Sequence, residues 1–456
     1  MKKLISLTLF TALGSTLAAC EIDVPDLNNP SIDDLETNPT TASVSAATTG
    51  LLIGNRRLTA AANGYVAQLG ILGREAYNFD QADPRFIGEL LEGNLQQGSP
   101  FGGNFWGGPY ANIRLANTIQ RVVGQVPEFS GEEQSAIQGF SKTIEALDLL
   151  EVANTRDTNG GVIDTDKRLG EPLGAIVDKP ALMAEIARLL DEGADELAAG
   201  GDAFPFALSS GYDGFDDPMT FRTFNRAIRA RVAVYLEDYA GALTALGMSF
   251  LDDGAMASFS DGVYHSYSTG SGDAVNSLIN PNIYAHPSLK PGPTGSEAND
   301  ARYAAKVMMV APEDAGGAGG LSSDIVFTHY SSPSSPVPII RNEELILLKA
   351  EALYFGTPSD PAGALIALNK VREESGGLAP LVGADIAAPA DFVAALLYER
   401  RFSLLFEGGH RWIDLRRFEQ PIPLDMPDHT QNVRYPIPLA ECNARPGEPK
   451  CMLGST

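Results

Sequence analysis

Close to the C-terminus, Glu407, His410 and Asp414 stand at steps of three and four residues. On a continuous helix that spacing puts two carboxylates and an imidazole on one face, where they could hold a divalent cation or exchange protons with a substrate. Gly408 and Gly409 interrupt the run, and glycine is where helices stop. The three are therefore not expected to share a face, and a zinc site would need a further nitrogen or sulfur ligand. The same stretch carries Glu399, Arg400, Arg401, Arg411, Arg416 and Arg417 among Phe392, Leu396, Phe402, Leu405 and Phe406. A partly buried charge persists only when paired. Glu399, Arg400, Glu407, Arg411, Asp414 and Arg416 are thus predicted to form a structural charge network, with Glu399 or Glu407 paired to Arg400, Arg411 or Arg416. Elsewhere there is no G-x-S-x-G elbow, H-E-x-x-H or P-loop. The run 316–320, GGAGG, lacks the Lys-Ser/Thr of a phosphate cradle, and the acidic pairs 216–217 and 252–253 lack calcium-loop spacing. No catalytic residue, metal or cofactor is assigned.

Aromatic residues in polar, glycine-rich surroundings are the stronger clue. Tyr77, Phe79, Tyr212, Phe215, Tyr264, Tyr267, Tyr284 and Tyr330 are of this kind. A sugar ring packs its C–H face on such a ring while its hydroxyls meet Asn, Asp, Arg or Gln, and peptides use similar amphipathic surfaces. These eight are the candidate ligand-binding residues, of which two or three are expected to line a site. Trp106 and Trp412 are expected in the core. The net charge of −25 argues against nucleic acid, whose phosphates would be repelled. It also suits a neutral ligand better than an acidic one.

The elements that must position these residues are helical. Apolar residues recur at three- and four-residue steps over 42–58, 109–123, 130–152, 179–199, 220–235, 239–251, 341–355 and 361–374. The last helix is read over 391–406, capped by Asp391, with a short one over 411–418 beyond the glycines. Ser130 with Glu133 three residues on forms a capping box. Residues 221–251 and 344–371 each read as helix, turn, helix, with small residues where the pair must approach closely. That is tetratricopeptide-like (TPR-like) pairing without a strict period. Residues 63–109 and 252–338 lose periodicity. The second excursion is too long to be a structureless loop and is read as ordered but irregular, with short strands at 307–310 and 325–328.

At the N-terminus, Lys2 and Lys3 precede an apolar run over 4–13 that is too short to span a bilayer, then Leu17-Ala18-Ala19-Cys20. Small residues before a cysteine resemble a bacterial lipobox, in which Cys20 is lipidated; the alternative is an ordinary signal peptide with an incidental cysteine. Residues 21–39, rich in Asp, Asn and Pro, read as a flexible tether. The remaining cysteines, Cys442 and Cys451, are read as a disulfide in an oxidising compartment; a metal pair there would lack further ligands.

The lipobox, FWGGPYANIRLAN (105–117), FNRAIRARVAVYL (224–236), RNEELILLKAEALYF (341–355), ALNKVREESGG (367–377), YERRFSLLFEGGHRWIDLRRF (398–418) and YPIPLAE (435–441) occur in this order. Together they resemble the SusD/RagB family of outer-membrane nutrient-binding lipoproteins. The resemblance implies an all-α fold, with TPR-like helix pairs forming a right-handed scaffold, long irregular loops and a few short strands. It divides the chain into a signal peptide (1–19), a lipidated tether (20–40) and one SusD-like domain (41–456) with its excursion at about 252–338. It further implies a cell-surface protein, held to the outer membrane by lipid alone. Such a protein passes a glycan, oligosaccharide or peptide to a TonB-dependent (SusC-like) transporter without transforming it. The competing readings are a lipoprotein glycoside hydrolase with paired carboxylates and a TPR scaffold that binds only protein. A Cys20→Ala chain is expected to leave the outer-membrane fraction, and its retention there on membrane fractionation would refute the anchor.

Overall fold

The computed structural model describes residues 32–168, 170–293, 295–314 and 320–456. The leader, Cys20, most of the tether and residues 316–319 of the glycine run lie outside the described residues. Helices α1 (Ile32–Thr37), α2 (Thr41–Asn55) and α3 (Tyr65–Leu72) lead to strand β1 (Ala76–Asn78) and a turn of helix, α4 (Arg85–Ile87). Next come α5 (Gly107–Val122), α6 (Gly131–Arg156), the short strands β2 (Gly161–Val162) and β3 (Ile176–Val177), α7 (Lys179–Ala198), α8 (Pro218–Tyr235) and α9 (Tyr239–Gly247). The middle holds β4 (Gly262–His265), β5 (Ile283–Ala285), α10 (Ala301–Lys306), β6 (Val307–Asp314), β7 (Ser322–Phe327) and β8 (Val337–Arg341). The chain ends with α11 (Asn342–Phe355), α12 (Pro361–Glu374), α13 (Pro389–Ser403), α14 (His410–Arg417) and α15 (Leu439–Ala444).

Local chemistry sets the helix ends. Ser130 Oγ accepts the Glu133 amide at 3.1 Å and Glu133 returns the bond at 2.8 Å, the expected capping box. Asp217 caps α8 through the amides of Met219 and Thr220, so α8 starts at Pro218, ahead of the expected Thr220. Pro389 opens α13, because a proline with its fixed φ suits the first helical position. Asp391 accordingly sits in the first turn instead of capping.

Each long helix lies on the next: α5 on α6, α6 on α7, α7 on α8, α8 on α9, α9 on α11 and α11 on α12. This is an all-α, TPR-like stack. Its core is formed by residues such as Phe140, Ile144, Leu190, Phe221, Phe224 and Leu345. A second apolar cluster joins α3 and β1 to Phe402, Phe406, Trp412 and Tyr435. A third lies between α11, α12 and α13, where Tyr354 and Phe392 stack with centroids 3.8 Å apart. Both tryptophans are buried, as expected. The stretch read as tether is corrected at its end: Ile32–Thr37 is a helix docked on the body. Leu35 is buried in the main core and Glu36 pairs with Arg121.

The excursion at 252–338 is held by antiparallel strand pairs. The expected strands pair as β6 with β7, Met308 opposite Val326 and Met309 opposite Ile325. Three further pairs were not foreseen: β1 with β5, β2 with β3 and β4 with β8. Two of them tie the excursion to distant chain, Tyr77 lying opposite Tyr284 and Val263 opposite Ile340.

The charged elbow is wired differently from the expectation. Helix α13 stops at Ser403, short of the glycines, because cations take its last carbonyls: Arg341 and Lys306 both donate to the Ser403 oxygen. Glu407 accepts Arg341 Nε at 2.8 Å and Lys306 Nζ at 2.9 Å. Glu399 accepts Arg302 at 2.6 Å and Arg372 at 2.9 Å. The predicted partners Arg400, Arg411 and Arg416 serve elsewhere. Arg400 pairs with Asp414 at 2.6 Å. Arg411 Nε donates to the Gly73 carbonyl. Arg416 lies 3.7 Å over the Trp412 ring and donates to the Val433 and Asn154 carbonyls. Gly409 has φ +72°, and a Cβ there would meet Leu69 at 2.4 Å, so the elbow requires glycine.

Burial alone would raise the Glu407 carboxyl, but Arg341 and Lys306 override it and hold it well below the usual range. A depressed carboxyl stabilises the fold above its unfolded pKa and loses that contribution as pH falls. Glu407→Gln leaves Arg341 buried without its main counter-charge. It is expected to lower unfolding free energy by ~3–5 kcal/mol, read by chemical denaturation at pH 7, with a smaller difference from wild type at acid pH.

Candidate functional site

Four segments meet at one open cleft of about 670 Å³: residues 210–215, Phe250, residues 260–267 and the turn at 334–336. Each is fixed from behind. The 210–212 turn is anchored by Tyr212, whose buried ring packs on Phe221 and Phe224 of α8. A Cβ on Gly211 would come within 1.9 Å of the Tyr264 carbonyl oxygen, so this glycine lets the turn press against β4. Asn342, at the start of α11, holds the chain before β4. Its Oδ1 accepts the Asp252 amide at 2.9 Å, and its Nδ2 donates to the Asp252 and Ser258 carbonyls at 2.7 and 3.1 Å. The opposite wall is tied by Asn276, which donates its amide to Pro333 and its Nδ2 to Ser335, both at 2.8 Å.

The β4–β8 ladder shifts register between Val263 and Tyr264. A bulge re-aims the side chains that follow it: Val263 is buried while Tyr264 borders the cleft. The Tyr264 hydroxyl donates to the Ser260 carbonyl. Across the cleft Phe215 and Phe250 meet edge-to-face at 5.0 Å, and both are half-buried. The rest of the lining is glycine, the hydroxyls of Ser210, Ser260, Ser266 and Ser334, and the exposed carboxylates Asp213 and Asp261. Aromatic faces beside hydroxyls and carboxylates can hold a polar ligand with apolar C–H faces.

Of the eight candidate rings, Phe215 and Tyr264 border this cleft with half-buried faces, and Tyr267 reaches its lining but is 7% exposed and packed in the second cluster. The others take different places. Tyr77, Phe79 and Tyr330 are 3%, 6% and 6% exposed in the second cluster, and the Tyr330 hydroxyl donates to the Phe406 carbonyl at 3.0 Å. Tyr212 is 2% exposed behind the cleft. Tyr284 is half-buried and leans on Phe79. Rings closed in by neighbours offer no platform, so the expectation of ligand contact is corrected for Tyr77, Phe79, Tyr212 and Tyr330, whose apolar faces are used in packing. Phe250, Asp213, Asp261 and the four serines were missed. The only signal for them was the density of Gly, Ser and Asp at 209–217 and 252–273. Cys442 and Cys451, far from the cleft, are bridged with Cα atoms 5.7 Å apart.

Two other constellations of titratable groups lie away from the cleft lining. His286 Nε2 lies 2.6 Å from Asp425 Oδ1 and its Nδ1 2.8 Å from Ser288 Oγ. That outline resembles a nucleophile relay. However, Nδ1 also accepts the Ser288 amide, the imidazole is buried, and neither the cleft nor the chamber below is lined by it. The chamber, of about 90 Å³, holds His265, His410, Glu151, Arg231 and Glu407. Burial pushes His265 down to about 3 and His410 to about 4, so both are neutral and poor proton donors at neutral pH. The Glu407, His410, Asp414 trio forms no metal site, and no such cluster occurs among the described residues.

Residues 327–447 match the SusD family. No curated protein sequence matches the chain. Among solved structures, a laminarin-binding SusD-like protein superposes with a TM-score of 0.64 at 17% identity, covering 88% of this chain and 97% of that one. A SusD-like carbohydrate-binding protein from Bacteroides fragilis NCTC 9343 gives 0.68 at 15% identity, covering 88% and 98%. A SusD superfamily protein from Parabacteroides distasonis ATCC 8503 gives 0.66 at 15%, covering 90% and 98%. At these identities the likeness is one of fold.

Beside the cleft's frame, a pocket at the start of α5 is lined by Asp148. Burial pushes the Asp148 carboxyl up to about 8, with the side-chain amides of Asn55 and Asn112 partly offsetting it. A raised carboxyl stabilises fully below its unfolded pKa and loses that contribution as pH rises through its folded one. The melting temperature of wild type relative to Asp148→Asn should therefore fall steadily between about pH 4 and pH 8 and level off above. A pH-independent difference in thermal melts would refute this.

Proposed function

We propose that this chain, a member of the SusD/RagB family by its C-terminal segment and its fold, is a surface lipoprotein that captures a glycan and delivers it unchanged to a TonB-dependent transporter. The observation that carries the reading is the cleft. Half-buried Phe215, Phe250 and Tyr264 stand among serine hydroxyls and carboxylates, on a rigid helical frame. Two structural neighbours, a laminarin-binding and a carbohydrate-binding SusD-like protein, support a sugar over a peptide. Among the described residues no helix is long and apolar enough to cross a membrane, which agrees with anchoring through lipid on Cys20.

One observation favours the hydrolase instead: two carboxylates, Asp213 and Asp261, border the same cleft. A glycosidase needs one carboxyl raised by an apolar setting to act as acid. Burial raises Glu75 and Glu145 to about 7 and Asp148 to about 8, but none of these lines the cleft. Asp213 and Asp261 are solvent-exposed. Binding without turnover is the better reading.

Calorimetry against an oligosaccharide panel should find a ligand whose affinity falls about ten-fold in Tyr264→Ala or Phe215→Ala, the loss of one aromatic platform. The ligand should be recovered intact. Products that disappear in Asp213→Asn or Asp261→Asn would establish the hydrolase. Purification from membranes should bring down a large β-barrel with the ligand.

A further inference from the structure

The charges around the cleft bear on which glycans can enter it. Its lining has two carboxylates, Asp213 and Asp261, and no lysine, arginine or histidine. The cations in the walls behind are already spoken for. Arg56 borders the adjoining cavity of about 230 Å³, which meets the cleft at Ser266. It is paired with Asp273 and donates to the Ser266 carbonyl. Arg341, beneath Tyr264, is neutralised by both Glu343 and Glu407. Among the described residues no cation lines the cleft, Arg56 and Arg341 behind it are paired, and the chain as a whole carries −25.

A carboxylate can only accept hydrogen bonds. Whatever lies opposite Asp213 and Asp261 must therefore present hydrogen-bond donors, as the vicinal hydroxyls of a neutral sugar do. The carboxylate of a uronic acid or the sulfate of a sulfated sugar presents acceptors and a like charge. Resting on the glycan reading above, we infer that the cleft selects uncharged glycans and excludes acidic ones, with Asp213 and Asp261 as the specificity-determining residues.

Take whichever neutral oligosaccharide of a panel of glucans and galactans with free C6 hydroxyls binds, and compare it with its own form oxidised at C6 to the carboxylate. The backbone, length and linkage are then shared, and only charge differs. Wild type at low salt should bind the oxidised form roughly ten-fold more weakly, the size expected of two exposed carboxylates at about 7 Å. The gap should shrink at about 0.5 M sodium chloride, where exposed charges are screened, and in the double variant Asp213→Asn/Asp261→Asn. The salt series uses wild type alone and so does not depend on the variant folding. Equal or tighter binding of the oxidised form, or a gap that salt and the double variant leave unchanged, overturns the charge selection while the glycan reading stands. A panel in which nothing binds, neutral or acidic, overturns the glycan reading itself.

Discussion

The Arg341–Glu407 ion pair connects the parts of this protein that matter most to each other. Arg341 ends β8, the strand whose partner β4 carries Tyr264. Glu407 sits in the elbow between α13 and α14. Both side chains are almost wholly buried, and each charge is held by two partners, Arg341 by Glu407 and Glu343, and Glu407 by Arg341 and Lys306, as buried charges require. Lys306 at the end of α10 and the Ser403 carbonyl complete the knot. One buried contact therefore fixes an element of the cleft, the irregular middle of the chain and the C-terminal helices in a single relative position.

Much of this frame was legible in the chain. Helices with caps and a clear apolar stripe announce themselves through local chemistry: Ser130 with Glu133 at the start of α6, and Gly409, with its positive φ, at the break before α14. Boundaries moved where a partner distant in sequence decided them. Helix α13 stops at Ser403 because Arg341 and Lys306, which precede it by 62 and 97 residues, reach its last carbonyl. Nothing in the local sequence encodes that. Short strands such as β1, β4 and β5 were invisible for a similar reason: a ladder of three or four residues has no period of its own, and its stability comes from the chain it meets.

The candidate site was legible in kind more than in place. Some aromatic residues of the polar loops do line the cleft, yet Tyr77, Tyr212 and Phe215 look alike in sequence. Burial separates them. Tyr212 turns inward against Phe221, while Phe215, three residues on, meets Phe250 at the cleft. Phe250 falls within the helix expected over 239–251, but α9 stops at Gly247, which frees the ring for the cleft. The charge-rich elbow drew attention as a possible reaction centre and is a structural joint, its carboxylates committed to arginines.

The segment that matches the SusD family, 327–447, contains the elbow and β8 but only Ser334 and Pro336 of the cleft lining. The rest of the lining comes from 210–267, hung on the frame by Tyr212, Asn342 and the β4 ladder. On the glycan reading, recognition and architecture are then written in separable parts of the chain. A lineage can rewrite the first without disturbing the second, and proteins sharing 15% identity can keep this frame with TM-scores near 0.66. Exchanging the 210–215 and 260–267 loops between such frames would transplant specificity, and kinship judged on the C-terminal quarter reports ancestry while leaving diet unspecified.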